Sequence, residues 1–321
     1  MEKTKLYLVI PCYNEEEVLP ETVRRLNEVL DGMVKSGKIS EDSRMVFVND
    51  GSKDKTWDLI SAYSEENPYV CGVCLSRNRG HQNALLAGLT VAKKYADAVV
   101  SLDADLQDDV GAIEKMVDAY HAGNDVVYGV RSARDTDTWF KRTTAEGFYK
   151  VMKFLGVDIV FNHADYRLMS KRALDGLEEF DEVNLFLRGI IPQIGYPSTT
   201  VTYERGERFA GESKYPLKKM LAFAFEGITS FSVQPIRFVS VLGVFSFLVS
   251  LIMLVYCFVS YFTGNVVSGW ASMSVSIWAL GGLQLLALGV IGEYIGKIYL
   301  ETKHRPRYLI RETRGLDGEK R

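Results

Sequence analysis

The chain has 321 residues, 47% of them hydrophobic, and a formal net charge of −3. That length fits one large domain or two smaller ones. The near-neutral balance argues against a general nucleic-acid binder, which carries a basic patch or domain. Cys12, Cys71, Cys74 and Cys257 are the only cysteines, and Cys71-x-x-Cys74 lacks the second pair of a zinc site. They read as buried core in a reducing cytoplasm, with no disulfide framework.

The charged N-terminus leads into a strand at about Lys5, not into a signal peptide. Apolar runs at Leu6–Ile10, Met45–Val48, Val70–Leu75, Ala98–Leu102 and Asp125–Tyr128 predict strands. Amphipathic stretches near 15–35, 54–66, 82–95 and 110–121 predict the helices between them. This alternation predicts an α/β fold, an open and mostly parallel sheet with helices on both faces, whose ligands bind beyond the carboxyl ends of the strands. The polar clusters fall at those ends: Pro11-Cys-Tyr-Asn-Glu15, Asn49-Asp-Gly-Ser52 and Ser76-Arg-Asn-Arg-Gly80. A dinucleotide GxGxxG, a phosphate-binding GxxxxGK[ST], HExxH and GxSxG are all missing.

After the fourth strand comes Asp103-Ala-Asp-Leu-Gln-Asp-Asp109. Residues i and i+2 at a strand end share a side, so Asp103 and Asp105 can face one point. With the Gln107 amide oxygen they form a hard oxygen set suited to Mg²⁺ or Mn²⁺ that keeps open positions for phosphate oxygens. The alternative is a solvated acidic loop capping the next helix. Its place among three other strand-end clusters favours metal–diphosphate binding, and Asp108 and Asp109 are left to the cap.

Two charge-free runs follow, Phe238–Phe262 and Val266–Gly292, of about 25 and 27 residues, each long enough as a helix to cross a bilayer. Lys214, Lys218, Lys219 and Arg237 precede the first; Lys297, Lys303, Arg305, Arg307, Arg311 and Arg314 follow the second; Thr263–Val267 between them has neither Lys nor Arg. That asymmetry places both termini and the soluble domain in the cytoplasm. Gly292-x-x-x-Gly296 suits close helix contact, within the hairpin or in a homo-oligomer. The aromatic, apolar stretch from Lys214 to Arg237, interrupted before the membrane by Pro235, reads as an interfacial helix. The expected organisation is a catalytic domain over 1–213, an interfacial region over 214–236, two transmembrane helices over 237–296 and a basic cytoplasmic tail over 297–321.

Taken in order, Pro11-Cys-Tyr-Asn-Glu15, Asn49-Asp-Gly-Ser-Lys-Asp-Lys-Thr56, Ser76-Arg-Asn-Arg-Gly80 and Asp103-Ala-Asp-Leu-Gln107 resemble the successive motifs of GT-A, family 2 glycosyltransferases. Tyr166-Arg-Leu-Met169, Arg208-Phe-Ala-Gly-Glu-Ser-Lys-Tyr215 and the two-helix hairpin resemble the bacterial polyprenyl-phosphate (bactoprenol) branch, related to dolichol-phosphate mannose synthase. The resemblance implies a multi-pass protein of the bacterial cytoplasmic membrane. Its implied reaction moves a sugar, glucose from UDP-glucose, to polyprenyl phosphate with inversion, using Mg²⁺ or Mn²⁺.

By the same resemblance Pro11, Tyr13, Glu15, Asp50 and Asp103 line the nucleotide-sugar pocket. Asp103, Asp105 and Gln107 hold the metal. Arg131, Arg142, Arg208 and Lys214 hold the acceptor phosphate, and Asp103, Asp105, Arg131 and Arg208 form the catalytic set. A phosphate monoester is mostly dianionic at pH 7, so this acceptor needs cations more than a base.

Other roles remain open for several of these residues. Glu15 and Glu16 can serve the dipole of the following helix, and Asp54 can cap the next one. Arg142 can lie on a solvated helix face, and Lys214 at the membrane surface. Asp165 either faces the site or pairs with Arg167. Arg79, His81, Gln82 and His163 depart from the family pattern. Alternative donors are GDP-mannose, UDP-N-acetylglucosamine or a modified UDP-sugar. A processive polysaccharide synthase is disfavoured by two spans and no QxxRW. An inactive nucleotide-sensing scaffold is disfavoured by the intact Asp103, Asp105, Arg131 and Arg208.

Overall fold

The computed structural model describes residues 3–132, 163–183, 185–204, 234–263 and 269–316. The chain forms two compact units. The first holds residues up to 132, 163–204 and 305–316; the second holds the long helices within 234–304.

The first unit is built on an eight-stranded sheet in the order β7-β5-β6-β4-β1-β2-β3-β8. Its strands are β1 (Leu6–Cys12), β2 (Arg44–Asn49), β3 (Val70–Leu75), β4 (Ala98–Ser101), β5 (Val126–Arg131), β6 (His163–Ser170), β7 (Ser198–Tyr203) and β8 (Ile310–Arg314). The helices α1 (Leu19–Lys35), α2 (Thr56–Glu66), α3 (His81–Ala92) and α4 (Ala112–His121) alternate with the first five strands, as the sequence predicts. β1 to β4 pair in parallel, and β5 pairs in parallel with β7. Every residue of β1 is buried, because the strand is covered on both faces. Leu19, Val23, Leu26, Leu30 and Met33 of α1 recur at helical spacing and bury against the sheet, and Pro20 sits in the first turn where its missing N–H is harmless.

Three features lie outside the sequence expectation. β6 enters antiparallel between β4 and β5. α5 (Lys171–Glu178), capped by the Ser170 hydroxyl accepting from Ala173 N at 3.1 Å, and α6 (Leu187–Gln193) follow it. Residues 297–321, expected as a basic tail, include β8, which pairs antiparallel with β3 at the sheet edge. Gly315 then turns at φ 69°, where a Cβ would stand 2.8 Å from Val70 O.

The second unit contains α7 (Gln234–Phe262) and α8 (Trp270–Thr302), each long and apolar enough to cross a membrane. Pro235 starts α7 instead of interrupting the chain ahead of it, since a first-turn proline needs no N–H partner. Large apolar side chains stand exposed along both helices, among them Phe238, Ile252, Phe262, Leu285 and Leu288. The interfacial stretch 214–233 lies outside the described residues.

α3 lies close on β1 and β2 at Gly88, where a Cβ would approach Val9 Cγ1 to 2.4 Å and Val48 Cγ2 to 2.7 Å. Valine in a packed sheet has little rotamer freedom to yield. Gly88→Ala is therefore expected to destabilise the protein by about 1–3 kcal/mol through overpacking. Gly32, on the exposed side of α1 with open space around it, should tolerate alanine or gain up to about 1 kcal/mol. Thermal unfolding of the two variants in detergent checks both signs.

Candidate active site

The carboxyl ends of β1, β2, β3 and β4 lie on one edge of the sheet, and their loops are bonded to one another. Asp50 N donates to Cys12 O at 2.9 Å, Asn14 N to Ser52 Oγ at 3.0 Å, and Lys53 N to Asn14 Oδ1 at 2.9 Å. Glu15 N donates to Thr56 Oγ1 at 2.9 Å. Asp54 accepts from Thr56 N at 3.1 Å at the start of α2, the expected capping role, and also from Glu16 N at 3.2 Å. Asn14 adopts φ 55°, a left-handed conformation that asparagine tolerates and these bonds hold.

Asp50 is 3% exposed and receives backbone N–H bonds from Arg79 at 2.7 Å and Gly80 at 2.9 Å. It thereby fixes the turn between β3 and α3. Burial raises its pKa, and those two bonds oppose the rise. Gly51, at φ 64°, lets the two loops meet: a Cβ there would fall 2.5 Å from Asn78 N. Pro11 is buried at the end of β1, Glu15 is half-buried, and Tyr13 projects into the open at 41% exposure. Cys71 and Cys74 are buried in β3 and form no disulfide, in agreement with the core reading.

The loop after β4 carries Asp103 and Asp105. Thr22 Oγ1 of α1 donates to Ala104 O at 2.9 Å, and Gln107 N donates to Asp105 Oδ1 at 3.2 Å. Between them Leu106 is buried at φ 55°. A leucine held in that region stores strain, and such strain concentrates at functional loops.

The β4–β6 register pairs Ser101 with Arg167, so two residues further on it sets Asp165 level with Asp103. Asp165 is 5% exposed and gathers three basic groups. Arg167 Nη2 bonds to Oδ1, Arg188 of α6 donates through Nε at 3.2 Å and Nη2 at 3.1 Å, and His81 Nε2 lies 3.6 Å from Oδ2. His81 Nε2 is also 3.6 Å from Asp103 Oδ1. Burial pushes the Asp165 carboxyl upward. The adjacent His81 and the charges of Arg188 and Arg167 outweigh it and hold the group well below the usual carboxylate range. Asp165 thus both lies beside the site and pairs with Arg167.

Asp103 is shifted the other way. Its recessed position raises its pKa first, and repulsion from Asp165, Asp108 and Asp105 adds to that, against the charge of His81. Its side chain nevertheless keeps 37% of its surface accessible. Crowded carboxylates with an open face suit a bound cation, which relieves their repulsion, so the donor set fits a hard divalent ion. Among the described residues no three acidic, histidine or cysteine side chains form a ready-made metal cluster. Gln107, 7% exposed, lies in the same loop.

Asp109 accepts from Gly111 N at 2.8 Å in a local turn ahead of α4. The N-cap of that helix is Gly111 with no side-chain capping bond, so Asp109 does not cap the helix as expected. Asp108 does not cap either. It is buried and accepts from Tyr203 Oη at 2.6 Å, with Arg131 Nη2 at 3.4 Å. Arg131, the last residue of β5, stands beside Tyr203 in the sheet register. Arg142, Arg208 and Lys214 lie outside the described residues. The sequence carries no motif that marks Arg188 or Tyr203. The reading of Asp165 as facing the site or pairing with Arg167 is the signal that leads toward this cluster.

Residues 7–177 match the family model Glycosyl transferase family 2. The chain is 55% identical to "Uncharacterized glycosyltransferase YkoT" of Bacillus subtilis (strain 168) over 305 residues, 95% of this chain and 90% of that one. It is 43% identical to the bactoprenol glucosyl transferase of Shigella phage SfX over 315 residues, covering 96% of this chain and 99% of the relative. Glucosyl-3-phosphoglycerate synthase from Mycobacterium tuberculosis aligns with 70% of this chain and 78% of its own at a TM-score of 0.46 and 15% identity, too remote to bear on substrate or mechanism. With a family match over more than half its length and full-length relatives of the same kind, the chain belongs to glycosyl transferase family 2 and is a glycosyltransferase.

Proposed function

We propose that this enzyme transfers glucose from UDP-glucose to a polyprenyl phosphate at the cytoplasmic face of the membrane, with inversion and with a divalent ion. One observation carries the acceptor. The buried carboxylate beside Asp103 is Asp165, and three basic groups hold it ionised far below neutral pH. A carboxylate so committed is a poor proton acceptor. A hydroxyl acceptor needs a base, whereas a phosphate monoester arrives mostly dianionic and needs none. The full-length similarity to proteins named bactoprenol glucosyl transferase supports the same acceptor and sugar.

In this reading a phosphate oxygen of the lipid attacks the anomeric carbon as the bond from that carbon to the diphosphate oxygen breaks. The nucleoside diphosphate leaves with the bonding electrons. In-line displacement inverts the centre. Asp103 and Asp105, with Gln107 nearby, would hold the divalent ion, which when bound would supply positive charge against the departing diphosphate. Pro11, Tyr13, Glu15 and the turn fixed by Asp50 shape the nucleoside side, and Arg131 receives the acceptor phosphate. Arg142, Arg208 and Lys214 complete that cationic set.

Chain connectivity supports the membrane placement. The polypeptide leaves the sheet unit, runs through α7 and α8, and returns to pair β8 with β3. If both helices cross a bilayer, the crossing number is even, so both ends of the pair meet the same side as the sheet. The lysine and arginine residues flanking both helices support a cytoplasmic assignment for that side.

Purified enzyme given polyprenyl phosphate, a divalent ion and a panel of radiolabelled nucleotide sugars should move label from UDP-glucose into organic solvent, and EDTA should abolish it. Asp105→Asn should lower that rate by about 100-fold or more. Lipid-borne label from no donor would overturn the acceptor; label unaffected by EDTA would remove the ion.

Asp165→Asn discriminates a structural carboxylate from a catalytic base. It leaves Arg167, 1% exposed, without its counter-charge, so the unfolding free energy should fall by about 3–5 kcal/mol. The pH–rate profile of the residual activity should keep the parent shape. A variant that unfolds like the parent but loses its acid limb would make Asp165 the base.

A further inference from the structure

Asp108 follows the Asp103–Asp105 pair yet faces the far side of the sheet's active edge, where β5 and β7 end together. Tyr203 Oη donates to Asp108 Oδ1 at 2.6 Å and accepts from Arg131 Nε at 3.2 Å. One phenol can do both, having a single proton and two lone pairs. Burial and the Asp108 charge raise the Tyr203 pKa far above its ordinary value, so the hydroxyl keeps its proton and stays a donor. Arg131 Nη2 closes the triangle on the same Asp108 oxygen at 3.4 Å.

A second tie reinforces the first. The Tyr203 ring packs edge-on against Tyr166, with centroids 5.1 Å apart, and Tyr166 Oη donates to Asp109 O at 2.9 Å. Two tyrosines packed edge to face therefore end on consecutive residues of the Asp103–Asp109 loop. Asp108 is sealed, with 4% of its side chain exposed, while Arg131 keeps 28% of its side chain open. The two buried partners engage Nε and Nη2 of a guanidinium whose side chain is partly exposed.

We propose that Asp108 and Tyr203 are positioning residues that hold Arg131 for the acceptor phosphate and couple its placement to the loop carrying Asp103 and Asp105. This rests on Arg131 being the acceptor-phosphate ligand. A planar guanidinium contacts phosphate bidentately only when its plane is fixed, so releasing it should weaken acceptor binding more than donor binding.

Steady-state kinetics on the full-length enzyme, with polyprenyl phosphate and UDP-glucose varied in turn, provide the test. Tyr203→Phe removes one hydroxyl and keeps the ring packing; Asp108→Asn keeps the shape and removes the charge. Each should raise the KM for polyprenyl phosphate about 10-fold, the scale of one hydrogen bond to a charged group, and leave the donor KM within about twofold. Arg131→Lys should cost less in the Tyr203→Phe background than alone, because the brace acts through the arginine. If Arg131→Lys raises the acceptor KM while Tyr203→Phe leaves it unchanged, the brace is refuted and the acceptor reading stands. If Arg131→Lys leaves the acceptor KM unchanged, the acceptor reading falls and the brace with it. Equal rises in both KM values, or additive losses in the double variant, would also overturn the brace. Tyr203→Phe carries the test if the asparagine variant fails to fold.

Discussion

The buried ion pair between Asp165 and Arg167 is the constraint on which the catalytic edge depends. Both residues lie on one face of β6, a strand inserted against the direction of its neighbours, and both are nearly inaccessible. A buried guanidinium with no counter-charge is strongly unfavourable, so Arg167 obliges the fold to bring a carboxylate inside. Because β6 runs antiparallel, that carboxylate arrives level with the end of β4, beside Asp103. Arg188 and His81 then converge on it from α6 and α3. Among the described atoms, Arg167 Nε and Nη1 lack partners, so the pair is held more by charge than by complete hydrogen bonding.

From that anchor the edge reads as two regions with different electrostatic tasks. Around Asp103 and Asp105 carboxylates crowd one another, and Asp103 is raised by recession and repulsion. Around Asp165 cations outnumber the carboxylate, and its pKa is depressed. Neighbouring carboxyl groups driven in opposite directions have different uses. The first region suits a hard cation and the diphosphate it accompanies. The second is a strut that keeps the first in place. The neighbouring motif loops follow the same economy: Asp50, Asp54 and Asn14 bond to backbone N–H groups of adjacent loops, so much of what looks like ligand-binding chemistry in the sequence first holds those loops in register.

What was legible in the sequence follows from locality. The first five strands and four helices carry strong periodicity, and their parallel pairing follows from the alternation. β6, β7 and β8 hide for separate reasons. β6 contains Asp165 and Arg167 where a strand pattern calls for apolar residues. β7 reads Ser-Thr-Thr-Val-Thr-Tyr, mostly polar because it lies at the sheet edge. β8 reads Ile-Arg-Glu-Thr-Arg, which on its own is a charged tail; its strand character comes only from β3. Asp103 and Asp105 stand out in the sequence by their spacing at a strand end. Arg188 and Tyr203 did not, since their roles exist only through partners 23 and 95 residues away. Asp108 was misassigned because an acidic residue ahead of a helix has a local explanation that is sufficient and, here, incorrect.

The segment after α8 returns to the sheet and ties together loops that are distant in the sequence. Arg307 Nη2 donates to Phe180 O at 2.6 Å, Ser76 N donates to Leu309 O at 2.8 Å, and β8 continues along β3. Phe180 precedes the loop to α6 and Arg188, and Ser76 begins the turn that Asp50 fixes. Residues 307–314 thus stitch together the approaches to both sides of the catalytic edge. The chain beyond the second long helix is thereby woven back into the sheet that carries the motif loops, and the charged run 310–314 folds as a strand because β3 supplies its partners.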